Sequence, residues 1–191
     1  MARTAGYPHK QLILNRLHEH TNMKTYILQE LNEANAARID SLLHMLSPDA
    51  PAIGPARLAE LLAGDSFWLF VTEDADGQLA GMLTLTRCHT LSRSKFWIED
   101  VIVDPAYRGQ GVGRALVHAA VEYVRAGKNC YSAEKNGNTT GENRYTAEES
   151  STDCAQTPSL YLTSNPSRTA ARALYRSEGF EEYETGVFRI V

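Results

Sequence analysis

A chain of 191 residues with 19 Lys and Arg against 23 Asp and Glu has a formal charge of −4, a balance that gives no support to a nucleic-acid binder or a basic membrane anchor. The length suits a single domain with one sizeable core. No run approaches the roughly 18 apolar residues of a membrane span, and the start, "MARTAGYPHKQLILNRLHEHTNMK", lacks the apolar stretch of a secretory signal, so a cytoplasmic protein is expected. Cys88, Cys130 and Cys154 make no disulfide framework; one buried strand thiol and two loop thiols are expected in a reducing compartment. Neither they nor the scattered His44, His89 and His118 have the spacing of metal ligands, and no metal is expected.

In chain order, residues 1–23 read as an extension with a short helix over Gln11–Glu19, ahead of a domain spanning 24–191. "TYILQEL" predicts a strand. Asn32 is placed to cap a helix running to about Met45, whose Ile39, Leu42, Leu43 and Leu46 recur at helical spacing, and Pro48 and Pro51 prevent its continuation. A second short helix is expected over Gly54–Ala63. "SFWLFVTED" and "QLAGMLTLTRC" predict a hairpin turning at Asp76-Gly77, and "FWIEDVIVD" adds a third extended run. From Gly111 the period becomes helical up to Ala126-Gly127.

Residues 128–157 differ in kind. They are dense in Asn, Thr, Ser, Glu and Gly with almost no aliphatic residue, the composition of a flexible low-complexity insertion. Removing about Lys128 to Gln156 leaves "VRAGTPSLYLTSN", an ordinary helix-to-strand connection, and Gly127-Lys128 admits the codons GGTAAG with their splice-donor sequence. A retained intron is one account of the insertion, and a spliced transcript that keeps those codons would exclude it. Beyond it, "SLYLTSN" predicts a strand, Ser167–Ser177 a helix stopped by Gly179, and "FEEYE" and "VFRIV" two final strands. Strands and helices thus alternate toward the C-terminus, which predicts an α/β fold: a mixed sheet with helices on both faces.

The chemistry concentrates in "EDVIVDPAYRGQGVGRAL". Gly109, Gly111 and Gly113 strip side chains from a strand-to-helix junction, where bare N–H groups and a helix N-terminus suit the oxygens of a pyrophosphate. Arg108 and Arg114 flank that turn. It is neither a G-x-x-x-x-G-K-[ST] loop nor a G-x-G-x-x-G dinucleotide turn; a purely structural glycine turn is the alternative.

Arg108, Gly111 and Gly113 after a strand, followed by "NPSRTAARALYRSEGF", resemble the two signatures of the Gcn5-related N-acetyltransferase superfamily, and the likeness spans most of Thr25 to Val191. The resemblance implies a mixed, centrally splayed β-sheet flanked by helices, with acetyl-CoA in the cleft between the fourth and fifth strands. It implies that the pyrophosphate lies on backbone amides of Arg108, Gly109, Gln110, Gly111, Val112, Gly113 and Arg114. The pantetheine arm would run beside Val101, Ile102 and Val103, with a backbone N–H near Val103 polarising the thioester carbonyl. It implies that Tyr175 protonates the departing thiolate; a packing role on the helix face is the alternative. The family's cofactor-binding Asn, seven residues before that Tyr, is Arg168 here, so Asn165 replaces that contact or Arg168 reaches a phosphate. "ED" opens the same strand in small-amine acetyltransferases, which implies Glu99 as the base, Asp100 being the alternative. The two should face opposite sides unless a bulge intervenes. Trp68 and Trp97 read as core or sheet rings, with aromatic walls for a cationic ligand as the alternative. The activity implied is N-acetyl transfer to a primary amine of a small molecule. Acetylation of protein lysines or N-termini, and an inactive CoA-binding sensor, are the other readings. Terminal strands of this fold often meet a second copy, which admits a homodimer.

Overall fold

Local chemistry sets the first helix. The Asn32 side chain accepts the backbone N–H of Asn35 at 2.8 Å while Asn35 Oδ1 accepts that of Asn32 at 2.8 Å, a reciprocal cap that satisfies two donors otherwise unpaired at a helix start. The chain, described by a computed structural model over residues 22–126, 159–186 and 190, runs β1 (Lys24–Ile27), α1 (Glu33–Leu46), α2 (Pro55–Ala63), β2 (Phe67–Glu73), β3 (Leu79–His89), β4 (Ser94–Val103), a 3₁₀ turn (Pro105–Tyr107), α3 (Val112–Arg125), β5 (Ser159–Leu162) and α4 (Thr169–Ser177). The sheet order is β1-β2-β3-β4-β5, antiparallel throughout except for the parallel pair β4–β5. It is the mixed sheet that the alternation of elements predicts.

Strand alternation divides the apolar residues between two faces. Phe70, Leu83, Leu85, Phe96 and Ile98 pack on one side with Leu116, Val117 and Ala120 of α3. Leu69, Val71, Met82 and Ile102 pack on the other with Ile39 and Leu42 of α1 and Leu58 of α2. Alanines at 115, 119 and 120 let α3 lie close against the sheet, and Tyr123 fills its end between Trp68 (5.4 Å between centroids) and Phe70 (5.8 Å).

Three expectations need correction. Phe180–Glu184 forms no strand: Glu182 pairs with Arg172 (2.8 Å) and with Arg176 of α4, and Tyr183 leans on Tyr161 at 6.3 Å. Cys88 lies in a strand but is exposed, because β3 outruns the core beyond Leu85. The first strand ends at Ile27 rather than Leu31, since the chain must turn into the Asn32 cap. The helix over Gln11–Glu19, the insertion at 128–157 with Cys130 and Cys154, and most of the final strand "VFRIV" lie outside the described residues. Among the described residues no helix is long and apolar enough to cross a membrane.

Leu116, fully buried between α3 and the sheet, is the test of this packing. Leu116→Ala is expected to lower the unfolding free energy by about 2–5 kcal/mol in urea titration. A loss below about 1 kcal/mol would contradict the burial assigned to it.

Candidate active site

Between β4 and α3 the backbone takes a shape that only small residues tolerate. Gly109 and Gly111 have φ of 77° and 85°, in the left-handed region that other residues rarely enter, and Gly111 is the N-cap of α3. The first N–H groups of α3, from Val112 through Gly113 and Arg114, have no partners within the helix and point back toward the turn, at the positive end of the helix dipole. Gly113 lets two elements close in: a β-carbon there would stand 3.3 Å from Leu174 Cδ2 and 3.5 Å from Val103 Cγ2. Arg108 and Gln110 are exposed beside the amides. Among the described residues Arg108 makes no side-chain hydrogen bond, whereas the Gln110 amide is tied to the Ala106 carbonyl at 3.0 Å. Arg114 is partly engaged elsewhere, at 3.4 Å from both Glu178 and the Ser177 hydroxyl.

Residues that the sequence reading passed over hold this turn. Asp104 accepts the N–H of Ala106 at 2.8 Å and pairs with the Arg38 guanidinium of α1, while Arg38 Nε donates to the Leu79 carbonyl at 3.0 Å. The Tyr107 hydroxyl donates to Asp74 at 2.6 Å, in the β2–β3 turn. The hydrogen bonds from Arg38 and Tyr107 respectively hold the carboxyls of Asp104 and Asp74 below the usual aspartate range. Nothing in the spacing signalled the distant partners, Arg38 for Asp104 and Asp74 for Tyr107, each 30 or more residues away.

β4 carries the candidate carboxylates. Its register with β3 runs Thr84↔Glu99 and then Met82↔Ile102, so Asp100 and Val101 stand opposite the single residue Leu83, a β-bulge. Asp100 sits at φ 43° within it, the one non-glycine with positive φ among the described residues, and accepts the Thr84 hydroxyl at 3.1 Å. This is the bulge that would free Glu99 and Asp100 from opposite-face alternation. Both are exposed. Among the described residues Glu99 makes no hydrogen bond or ion pair, and desolvation first and the Asp100 charge second push its carboxyl above the ordinary range. On its other edge β4 pairs with β5 only over Lys95–Ile98. Among the described residues that edge has no partner from Glu99 to Val103, the stretch that leads into the glycine turn. Ile102 buries its side chain against α1, so it offers that edge backbone alone, while Val101 and Val103 lean toward α3.

α4 closes the far side. Leu174 packs it against α3, and a polar clasp adds to that: Glu178, with its side chain 11% exposed, lies 3.0 Å from His118 Nδ1 as well as near Arg114. Tyr175 is half-buried against Phe180 (6.2 Å between centroids) at the edge of the α3-side core. Burial raises its hydroxyl above the ordinary tyrosine value, and the nearby Arg168 charge opposes that rise. Arg168 is exposed at the N-cap of α4. Asn165 spends its Oδ1 locally, on the N–H (2.9 Å) and hydroxyl (2.8 Å) of Ser167, leaving only its amide N–H groups for a ligand. The tryptophans part company: Trp68 is buried, but Trp97 is half-exposed, stacked on Tyr161 at 5.2 Å.

A sheet that parts between a bulged fourth strand and a short parallel fifth, beside a glycine turn opening a helix, defines an acyltransferase-type fold. The model of the Acetyltransferase (GNAT) family matches residues 39–147. Glucosamine 6-phosphate N-acetyltransferase 1 of Oryza sativa subsp. japonica is 35% identical over 121 residues, which cover 56% of this chain and 70% of that protein. Among solved structures, an aminoglycoside acetyltransferase from an uncultured soil metagenomic sample superposes with TM-score 0.64 at 17% identity, covering 89% of this chain and 97% of that one. AAC(6')-Iy, solved with a bisubstrate analogue of CoA and acetylneamine, gives 0.58 at 21%, covering 88% and 97%. At such identities these two likenesses bear on the fold alone. The chain belongs to the GNAT family of N-acetyltransferases.

The Asp74–Tyr107 bond is expected to stiffen the glycine turn. Tyr107→Phe should remove the bond's contribution to stability and speed amide exchange over Arg108–Gly113 at neutral pH. Because the Asp74 carboxyl is lowered on folding, that contribution is present above the ordinary aspartate pKa and is lost as pH falls through the lowered value, so wild type and variant converge in acid. Equal exchange at pH 7 would show that the turn does not depend on the bond.

Proposed function

We propose that the protein transfers the acetyl group of acetyl-CoA to a primary amine of a small molecule, with Glu99 as the base and Tyr175 as the acid. The observation that carries this reading is the position of Glu99: an unpartnered carboxylate at the last regular register of β4, immediately before the bulge and beside the unpaired edge. The relative named for glucosamine 6-phosphate supports a small, amine-bearing acceptor.

The residues fit acetyl-CoA. Its pyrophosphate suits the free amides at the start of α3 with Arg108 beside them, and its extended arm suits the unpaired backbone of Val101–Val103, which offers the hydrogen bonds that β5 leaves unmade. When bound, acetyl-CoA supplies the thioester whose carbonyl carbon accepts the amine nitrogen. Glu99 takes the proton that the amine must lose, directly or through water; burial and the Asp100 charge raise its affinity for protons and so make it a stronger base. Asp100 is the weaker candidate because the Thr84 hydroxyl already occupies its Oδ2. Tyr175 keeps its proton at neutral pH and can give it to the thiolate sulfur as the carbon–sulfur bond breaks. The two groups occupy opposite faces of the sheet, Glu99 on the α1 side and Tyr175 on the α3 side. The parting of β4 from β5 joins those faces, so the amine can enter from one and the thiol leave on the other.

Thiol release from acetyl-CoA with a panel of amino sugars, polyamines, amino acids and short peptides, with mass spectrometry of the products, tests the reaction. Glu99→Gln is expected to lower kcat/KM by about 10²–10³-fold and to abolish the acid limb of the pH profile, along which the wild-type rate rises as Glu99 loses its proton. Tyr175→Phe is expected to lower kcat at least tenfold while acetyl-CoA affinity stays within about twofold. Unchanged rates in either variant would remove the role assigned to that residue.

A further inference from the structure

The face of the sheet that carries Glu99 also carries a feature the transfer reaction does not explain. Phe96 and Ile98 point into the α3-side core, so Lys95, Trp97 and Glu99 alternate onto the opposite face. There α1 and α2 cover Leu69, Val71, Met82 and Ile102 but stop short of this end of β4. Tyr161, paired with Trp97 in the parallel register, stacks on it with an interplanar angle of 28°, and Lys95 Nζ stands 5.9 Å from the Tyr161 ring centroid. Along one strand the open face therefore presents an ammonium, a two-ring platform and a carboxylate, each step roughly 7 Å. None of the three β4 side chains makes a hydrogen bond or ion pair among the described residues, and the two charges lie too far apart to neutralise each other. Trp97 thus differs in kind from Trp68, which is sealed in the core.

We propose that Lys95, Trp97 and Tyr161, together with Glu99, form the acceptor seat, and that its occupant is an anionic amino sugar. Its ammonium meets Glu99, its ring lies on Trp97 and Tyr161, and its anionic substituent meets Lys95. This deepens the acetyltransferase reading and rests on it. Unlike charges at the two ends of an aromatic floor select a ligand with the complementary order. A linear polycation would bring a second ammonium toward Lys95 and has no ring face for the platform. A neutral amino sugar fills the floor but leaves Lys95 unanswered.

Kinetics with glucosamine 6-phosphate, glucosamine and spermidine separate these cases. The seat requires kcat/KM for the phosphorylated sugar to exceed that for glucosamine at least tenfold. Lys95→Gln should erase that advantage, chiefly through KM for the phosphorylated sugar and with a much smaller effect on glucosamine, and Trp97→Ala should raise KM for both sugars, with Trp97→Phe restoring most of the loss. Equal use of the two sugars, a preference for spermidine, or an equal effect of Lys95→Gln on both sugars would overturn the proposal. Tryptophan emission gives an answer without turnover. Glucosamine 6-phosphate should quench the wild type and not Trp97→Phe, which retains Trp68. No quenching overturns the seat whether or not acetyl transfer occurs, whereas quenching without transfer would support the seat and count against the transfer reaction alone.

Discussion

β4 is bonded to β3 from Ser94 to Val103 but to β5 only from Lys95 to Ile98, and the rest of the site follows from that inequality. Among the described residues, five positions of β4 are left with an open edge, where backbone polar groups would ordinarily be paired. The bulge at Asp100–Val101 coincides with the place where pairing stops, twisting the strand there and setting Glu99 at the border between the closed and open halves. A ligand able to pair with that edge gains hydrogen bonds the sheet has left unmade.

An opening of this kind persists only if its margins are held from outside the sheet. On one margin, Asp104 and Tyr107 tie the glycine turn to Arg38 in α1 and Asp74 in the β2–β3 turn. On the other, Glu178 gathers His118 and Arg114 of α3 and so fixes the helix that bears Tyr175. Both clasps join elements far apart in sequence, so the opening is a property of the whole fold rather than of the turn. That division also accounts for Arg114, whose charge serves the clasp as much as the turn.

Much of this architecture was legible in the residues. The Asn32 cap, the prolines after α1, the Asp-Gly turn and the glycine run each act through local backbone chemistry, and the elements they delimit stand within a few residues of expectation. The Phe180–Glu184 strand misled because alternation alone cannot say whether a partner strand is present; there the side chains went to arginines of α4. For a similar reason alternation could not choose between a sheet ring and a ligand-facing wall for Trp97. Only the register with Tyr161 and the limited reach of α1 and α2 leave it uncovered. Arg38 carried no signal, since a lone arginine on a helix is as readily a solvated one.

The central claim is that the unpaired edge of β4 and the turn before α3 together receive acetyl-CoA. Amide hydrogen exchange on the full chain, with and without saturating CoA, reads both segments at once. The account predicts protection confined to Val101–Val103 and Arg108–Arg114, with the β2–β3 pair unaffected. Protection elsewhere, or none at a CoA concentration at which calorimetry records binding, would contradict it.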